Sequence, residues 1–162
     1  MGEAIKLLVV DDETKFLDAI ARRLEMRGLD VTTASNGAAA LEAARRSHFD
    51  LALLDLKMPG MKGEEVLATL KAEHKFLEVI ILTGHGSLDS AVTCTKLGAF
   101  GYLPKPYEFD QLISVLKDAY EQRLKHKYEH DQDRLEKLAA IALGESPLGV
   151  LRRMHELDED QK

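Results

Sequence analysis

The stretch LALLDLKMPGMKG, residues 51–63, most constrains what this chain can fold into. Leu51, Leu53 and Leu54 read as a short strand buried on both faces, and the strand ends abruptly on the carboxylate of Asp55. Pro59, Gly60 and Gly63 then force a loop before the next helical pattern begins. A parallel strand that closes on Asp puts the carboxylate at the carboxyl edge of a sheet, where open α/β folds bind ligands. An Asp that merely caps a turn is the commoner case, so the assignment depends on what the other loops bring to the same edge.

The pattern recurs along the chain. Ile5 to Val10 is nearly all apolar and runs into Asp11-Asp12. Glu13 to Arg27 keeps helical spacing through Leu17, Ile20, Ala21 and Leu24, with Gly28 placed as a stop. Leu29 to Ala34 is a second short strand, and Asn36 caps a helix carrying Ala40, Leu41 and Ala44. Val66, Leu67 and Leu70 mark the third helix, and Val79 to Leu82 is a fourth strand ending at Thr83. Ser87 caps a helix with Leu88, Ala91, Val92 and Thr95, which Gly98 stops. Phe100 to Leu103 is the fifth strand, followed by Pro104-Lys105-Pro106 and a helix opening with Phe109, Leu112, Ile113 and Leu116. Five strands alternating with five helices imply an α/β, doubly wound, flavodoxin-like (βα)5 fold: a parallel five-stranded sheet, leading strand order 2-1-3-4-5.

That order aligns the loops after strands one, three, four and five, which carry Asp11-Asp12, Asp55, Thr83 and Lys105. Each residue alone has a bland structural reading, but five polar groups on one edge do not. Three carboxylates in one pocket repel one another and favour a bound cation, and oxygen ligands suit a hard ion such as Mg2+. A carboxylate so placed can attack a phosphoryl group and form an aspartyl phosphate. The phosphoryl oxygens then need a cation and a donor, which Lys105 and the Thr83 hydroxyl supply. No GxxxxGK[ST] loop is present, so the phosphoryl donor is expected to be another protein or a small phosphorylated molecule rather than a bound nucleotide. The formal charge of −6 argues against direct nucleic-acid binding, and no apolar run approaches the ~20 residues that span a bilayer. A single cysteine, Cys94, excludes an internal disulfide and points to the cytoplasm.

The blocks VVDDE, LLDLKMPGMKG, IILTGHG and GAFGYLPKP, in that order, resemble the four motif blocks of receiver domains (CheY-like) of two-component response regulators. The resemblance covers roughly residues 4 to 120. It implies that Asp55 is the phosphoacceptor, that Asp12 with Asp11 and the backbone carbonyl of Lys57 binds Mg2+ beside Asp55, and that Lys105 pairs with the phosphate. Thr83 is implied as the switch hydroxyl, Tyr102 as the aromatic that follows it, and Gly84 as space for the phosphoryl group. Lys57 and His85 match positions that tune phosphate lifetime, and Lys105–Pro106 matches a cis bond. The implied donor is a sensor histidine kinase or histidine phosphotransferase, and the implied output is partner binding or dimerisation through the fourth helix–fifth strand–fifth helix face.

Residues 1–122 are expected to form the receiver and 123–162 a helical extension. Tyr120 to Leu143 has no Gly or Pro, which predicts a fifth helix running on past the receiver. Tyr128, Leu135, Leu138 and Ala142 approximate a heptad seam with Asp131 as a polar intruder, so a dimerising coiled coil and a solvated helix both stand. Gly144 breaks the helix, and Ser146-Pro147 starts another at about residue 147, whose stripe of Val150, Leu151, Met154 and Leu157 is short enough to pack on its own protein. Asp158-Glu159-Asp160 opposes the dipole at that helix's end and is expected to fray. Alternatives to a stand-alone switch are a phosphorelay intermediate and the receiver part of a larger transcriptional regulator. A phosphatase or dehalogenase using Asp55 is disfavoured, because such enzymes place an Asp acid where Lys57 stands.

Overall fold

The computed structural model of the chain describes residues 4–84 and 87–160. Five parallel strands form one sheet of order β2-β1-β3-β4-β5: β1 (Lys6–Val10), β2 (Asp30–Ala34), β3 (Leu51–Leu54), β4 (Glu78–Thr83) and β5 (Gly101–Pro104). The central strands β3 and β4 are buried at every position, which is why their sequences run apolar without alternation. Edge strand β2 exposes Asp30, Thr32 and Thr33. Register pairs Val10 with Leu54, Leu54 with Ile81 and Thr83 with Pro104, so the residues that follow these strands emerge on one edge.

The receiver-type helices are α1 (Thr14–Glu25), α2 (Gly37–Arg46), α3 (Gly63–Glu73), α4 (Leu88–Lys96) and α5 (Phe109–Lys127). Asn36 caps α2 by accepting from the Ala39 N–H at 2.8 Å, and Ser87 caps α4 by accepting from Ser90 at 3.1 Å. Gly28 ends the turn after α1 with φ +92°, a conformation only glycine adopts cheaply. The Lys105–Pro106 bond is cis. No helix among the described residues is long and apolar enough to cross a membrane.

The tail departs from the sequence expectation. The fifth helix does not run to Leu143; it ends at Lys127, and two further helices follow, α6 (Gln132–Ala142) and α7 (Pro147–Glu159). Asp131, the intruder in the supposed seam, is the cap of α6: its carboxylate accepts from the Arg134 N–H at 3.2 Å. Breaking the helix lets the tail fold back, which buries Tyr128 and Leu138 within their own chain and removes them from any intermolecular seam. Val150, Leu151, Met154 and Leu157 of α7 join Leu7, Leu24, Leu53, Leu116 and Leu124 in one apolar cluster on the α1–α5 side of the sheet. Asp158 does not fray. It is buried and accepts from the Tyr128 hydroxyl at 2.8 Å and from Lys127 Nζ at 2.7 Å, so two specific bonds outweigh an unfavourable helix dipole. A second apolar cluster, built around Leu8, Leu54, Leu67 and Ile81, fills the opposite side under α2, α3 and α4.

Candidate functional site

The carboxyl edge of the sheet brings together Asp11, Asp12, Asp55, Thr83 and Lys105. Asp11 and Asp55 follow the apolar ends of β1 and β3, and Thr83 is the last residue of β4; all three are buried. One ligand oxygen from each of Asp11, Asp12 and Asp55 lies within 4.8 Å of the others. Lys105, just past β5, donates to Asp11 Oδ2 at 2.7 Å and stands 3.9 Å from Asp55 Oδ2. The other oxygens are held by backbone: Glu13 N–H donates to Asp11 Oδ1 at 2.9 Å, and Lys57 N–H to Asp55 Oδ1 at 3.4 Å.

Asp55 Oδ2 has no hydrogen-bond partner among the described residues although it is buried. A buried carboxylate oxygen without a donor is costly, and a group that persists at that cost has a partner to receive. A divalent ion fits the chemistry: three carboxylates from two adjacent strands supply hard oxygen donors on one side, leaving the other side to water or phosphate.

Gly63, at the start of α3, keeps this loop in place. A Cβ there would collide with Leu56 Cα and lie 2.8 Å from the Leu56 carbonyl oxygen, so the helix can rest on the backbone beside Asp55 only as glycine. At Gly84 a Cβ would sit 3.6 Å from Lys105 Cβ, an ordinary contact, so glycine is not demanded by the packing seen here. Tyr102, on β5, packs its half-buried ring against the α3–α4 cluster, and its hydroxyl is buried without a hydrogen-bond partner among the described residues. Burial, then the nearby Cys94, Asp55 and Glu64, raise the Tyr102 phenol above its ordinary value, keeping it neutral. The side chain of Lys57 is exposed on the rim. His85 lies outside the described residues.

Two aromatic residues that the sequence reading passed over belong to the site. The Lys105 ammonium lies 3.9 Å from the centroid of the Phe16 ring, on α1, and Tyr107 meets that ring edge-on with centroids 6.5 Å apart. Burial pushes the Tyr107 phenol up to about 12, against the lowering pull of Arg23. Phe16 was legible only as a large aromatic beside the apolar stripe of α1, Leu17, Ile20, Ala21 and Leu24, rather than in it.

Residues 7–117 match the family model for the response regulator receiver domain. The chain is 39% identical over 142 residues to the DNA-binding transcriptional regulator NtrC of Escherichia coli (strain K12), covering 86% of this chain and 29% of that protein. It spans less than a third of the length of the NtrC proteins it matches. A CheY-like receiver domain protein from Methanospirillum hungatei JF-1 superposes with a TM-score of 0.73 at 31% identity, over 76% of this chain and 98% of that one. Response regulator TrrA from Thermotoga maritima, solved in complex with Mg2+–BeF, superposes with a TM-score of 0.65 at 31% identity, over 71% of this chain and 98% of that one.

Proposed function

The chain belongs to the response regulator receiver family, and from that premise we propose that it is a switch thrown by phosphorylation of Asp55. The observation that carries this reading is the buried Asp55 Oδ2, which has no hydrogen-bond partner among the described residues and lies 3.9 Å from the Lys105 ammonium beside two further carboxylates. The donor in this reading is a phosphohistidine of a sensor histidine kinase or histidine phosphotransferase. An Asp55 oxygen forms the O–P bond as the N–P bond breaks; the departing imidazole nitrogen keeps the electron pair and takes up a proton. Asp11, Asp12, Asp55 and the Lys57 carbonyl would hold Mg2+, whose charge would offset that of the carboxylates and the phosphoryl oxygens. Lys105 needs to re-aim only from Asp11 toward Asp55, 3.9 Å away, to meet a phosphoryl oxygen. The Thr83 hydroxyl donates to another.

Thr83 and Tyr102 carry the signal outward. A Thr83 drawn toward the phosphoryl group alters the packing around Tyr102 and so the surface made by α4, β5 and α5. Leu88 is 80% exposed and Val92 45% exposed on α4, which supports that surface as the place for a protein partner or a second copy. Lys57, exposed on the rim, and His85 are assigned to tuning of the phosphate lifetime. The acid excess of the chain supports protein rather than nucleic acid as its own direct partner, and the lone Cys94 supports a cytoplasmic setting. A phosphorelay intermediate uses the same chemistry and differs only in its recipient.

Mass spectrometry after incubation with acetyl phosphate and Mg2+ tests the reading. The parent is expected to gain one phosphoryl group, and Asp55→Asn to gain none while keeping the parent's far-ultraviolet circular dichroism. Uptake by Asp55→Asn at the parent's level would place the nucleophile elsewhere.

A further inference from the structure

Lys105 ends a flexible four-carbon stem, and its side chain is 17% exposed, so nothing in its covalent structure holds the ammonium over Asp55. Asp11 Oδ2 holds it from one side at 2.7 Å. The Phe16 ring lies on another side, 3.9 Å from Nζ to centroid, well within the range of a cation–π contact. Phe16 is itself gripped by the same loop: Tyr107, two residues beyond Lys105, meets it edge-on at an interplanar angle of 87°. The ring therefore sits between the two ends of a Lys-Pro-Tyr segment, tying the first turns of α1 to the loop after β5.

A carboxylate in the place of Phe16 would compete with a phosphoryl group for the ammonium. An aromatic face attracts the ammonium without a net charge, so Lys105 stays near the pocket and remains free to turn from Asp11 to the phosphoryl oxygens. We propose that Phe16 is a positioning residue for Lys105, holding its ammonium over the acceptor site through the face of the ring. This rests on the reading of Asp55 as phosphoacceptor. A ring that only fills space beside the site would be replaced without effect by an aliphatic side chain of similar bulk.

The test compares Phe16→Leu, which keeps apolar bulk and removes the aromatic face, with Phe16→Tyr, which keeps the face. Uptake of phosphoryl from acetyl phosphate at saturating Mg2+ is expected to slow by about three- to tenfold in Phe16→Leu, a range a partly buried cation–π contact supports, and to stay near the parent rate in Phe16→Tyr. A proton spectrum recorded without Mg2+ or phosphodonor adds a readout that bulk alone does not move. The Lys105 ε-methylene protons should be displaced upfield by the ring in the parent and in Phe16→Tyr, and return to ordinary positions in Phe16→Leu. Parent-like uptake by Phe16→Leu, or uptake by Phe16→Tyr as slow as that of Phe16→Leu, overturns the assignment. If the parent takes up no phosphoryl group, or Asp55→Asn takes it up equally, the reading of the site fails and this assignment falls with it.

Discussion

At Gly63 a single hydrogen atom decides where the backbone beside the nucleophile lies. The Gly63 N–H donates to the Leu56 carbonyl at 3.1 Å, and a side chain would strike Leu56 Cα, Leu56 O and Asp55 O, all of them backbone. Backbone so placed cannot rotate away as a side-chain tip can. Gly63→Ala is therefore expected to cost about 1–3 kcal/mol, the usual range for overpacking, and to weaken Mg2+ binding by shifting the Asp55–Leu56 segment. Urea melts and Mg2+ titration of the variant check this, and unchanged values in both would show that the loop yields freely. The contrast with Asp55 is instructive at the same scale. Its Oδ2, without a hydrogen bond among the described residues, is a local cost that stability alone would remove, whereas Gly63 is a local economy that stability requires.

Helices end where a competing bond is better, and the last turn of α5 shows it. Lys127 and Tyr128 both turn to Asp158 of α7, and Asp131 opens α6. Burial pushes the Asp158 carboxyl up, but the bonds from Lys127 and Tyr128 outweigh it and hold the group below the ordinary carboxylate range. A carboxylate with a depressed folded value stabilises above its unfolded value, near pH 3.9, and loses that contribution as pH falls through the folded value. Asp158→Asn should thus lower stability at neutral pH by about 1–3 kcal/mol. The gap between parent and variant should narrow as urea melts are taken below about pH 4; a constant gap from pH 7 to about pH 3 would argue against the ionic latch. The same scale shows what the sequence made legible. Strands β1, β3 and β4 appeared to within a residue because apolar runs buried on both faces have no other soluble use. The half-exposed edge strands β2 and β5 were bracketed by the stops and turns around them, and Asn36, Ser87 and Ser146 all cap the helices read for them. Asp131 misled because capping and seam positions look alike until the fold shows which way the chain turns. Asp158 misled because its partners lie 30 and 31 residues away. The candidate site was legible in its acids, Thr83 and Lys105 because motif order and strand order coincide, while Phe16 depended on a contact across the sheet edge.

For the molecule as a whole, the tail adds a layer. Helix α7 lies in the same apolar cluster as the sheet and α1, so we propose that the described residues beyond 127 are part of the folded unit rather than an appendage. At roughly 1.5–3 kcal/mol for each large apolar side chain returned to water, uncovering even two of Leu24, Ile113, Tyr120 and Leu124 would remove a sizeable share of a domain's stability. A variant ending at Lys127 is expected to melt well below the full chain; equal melting temperatures would make the tail dispensable. The opposite side of the sheet is built differently. Along α4, Cys94 is the one buried residue, whereas α1 and α5 bury four and eight. Amide hydrogens report such differences as waiting times. A helix anchored at one point can detach and re-seat many times before the rest of the fold opens once, so among α1, α4 and α5 it is α4 that is expected to exchange its amides for deuterium first and α5 last. The molecule thus keeps two clocks, a fast one on the face that would meet its partner and a slow one under the tail.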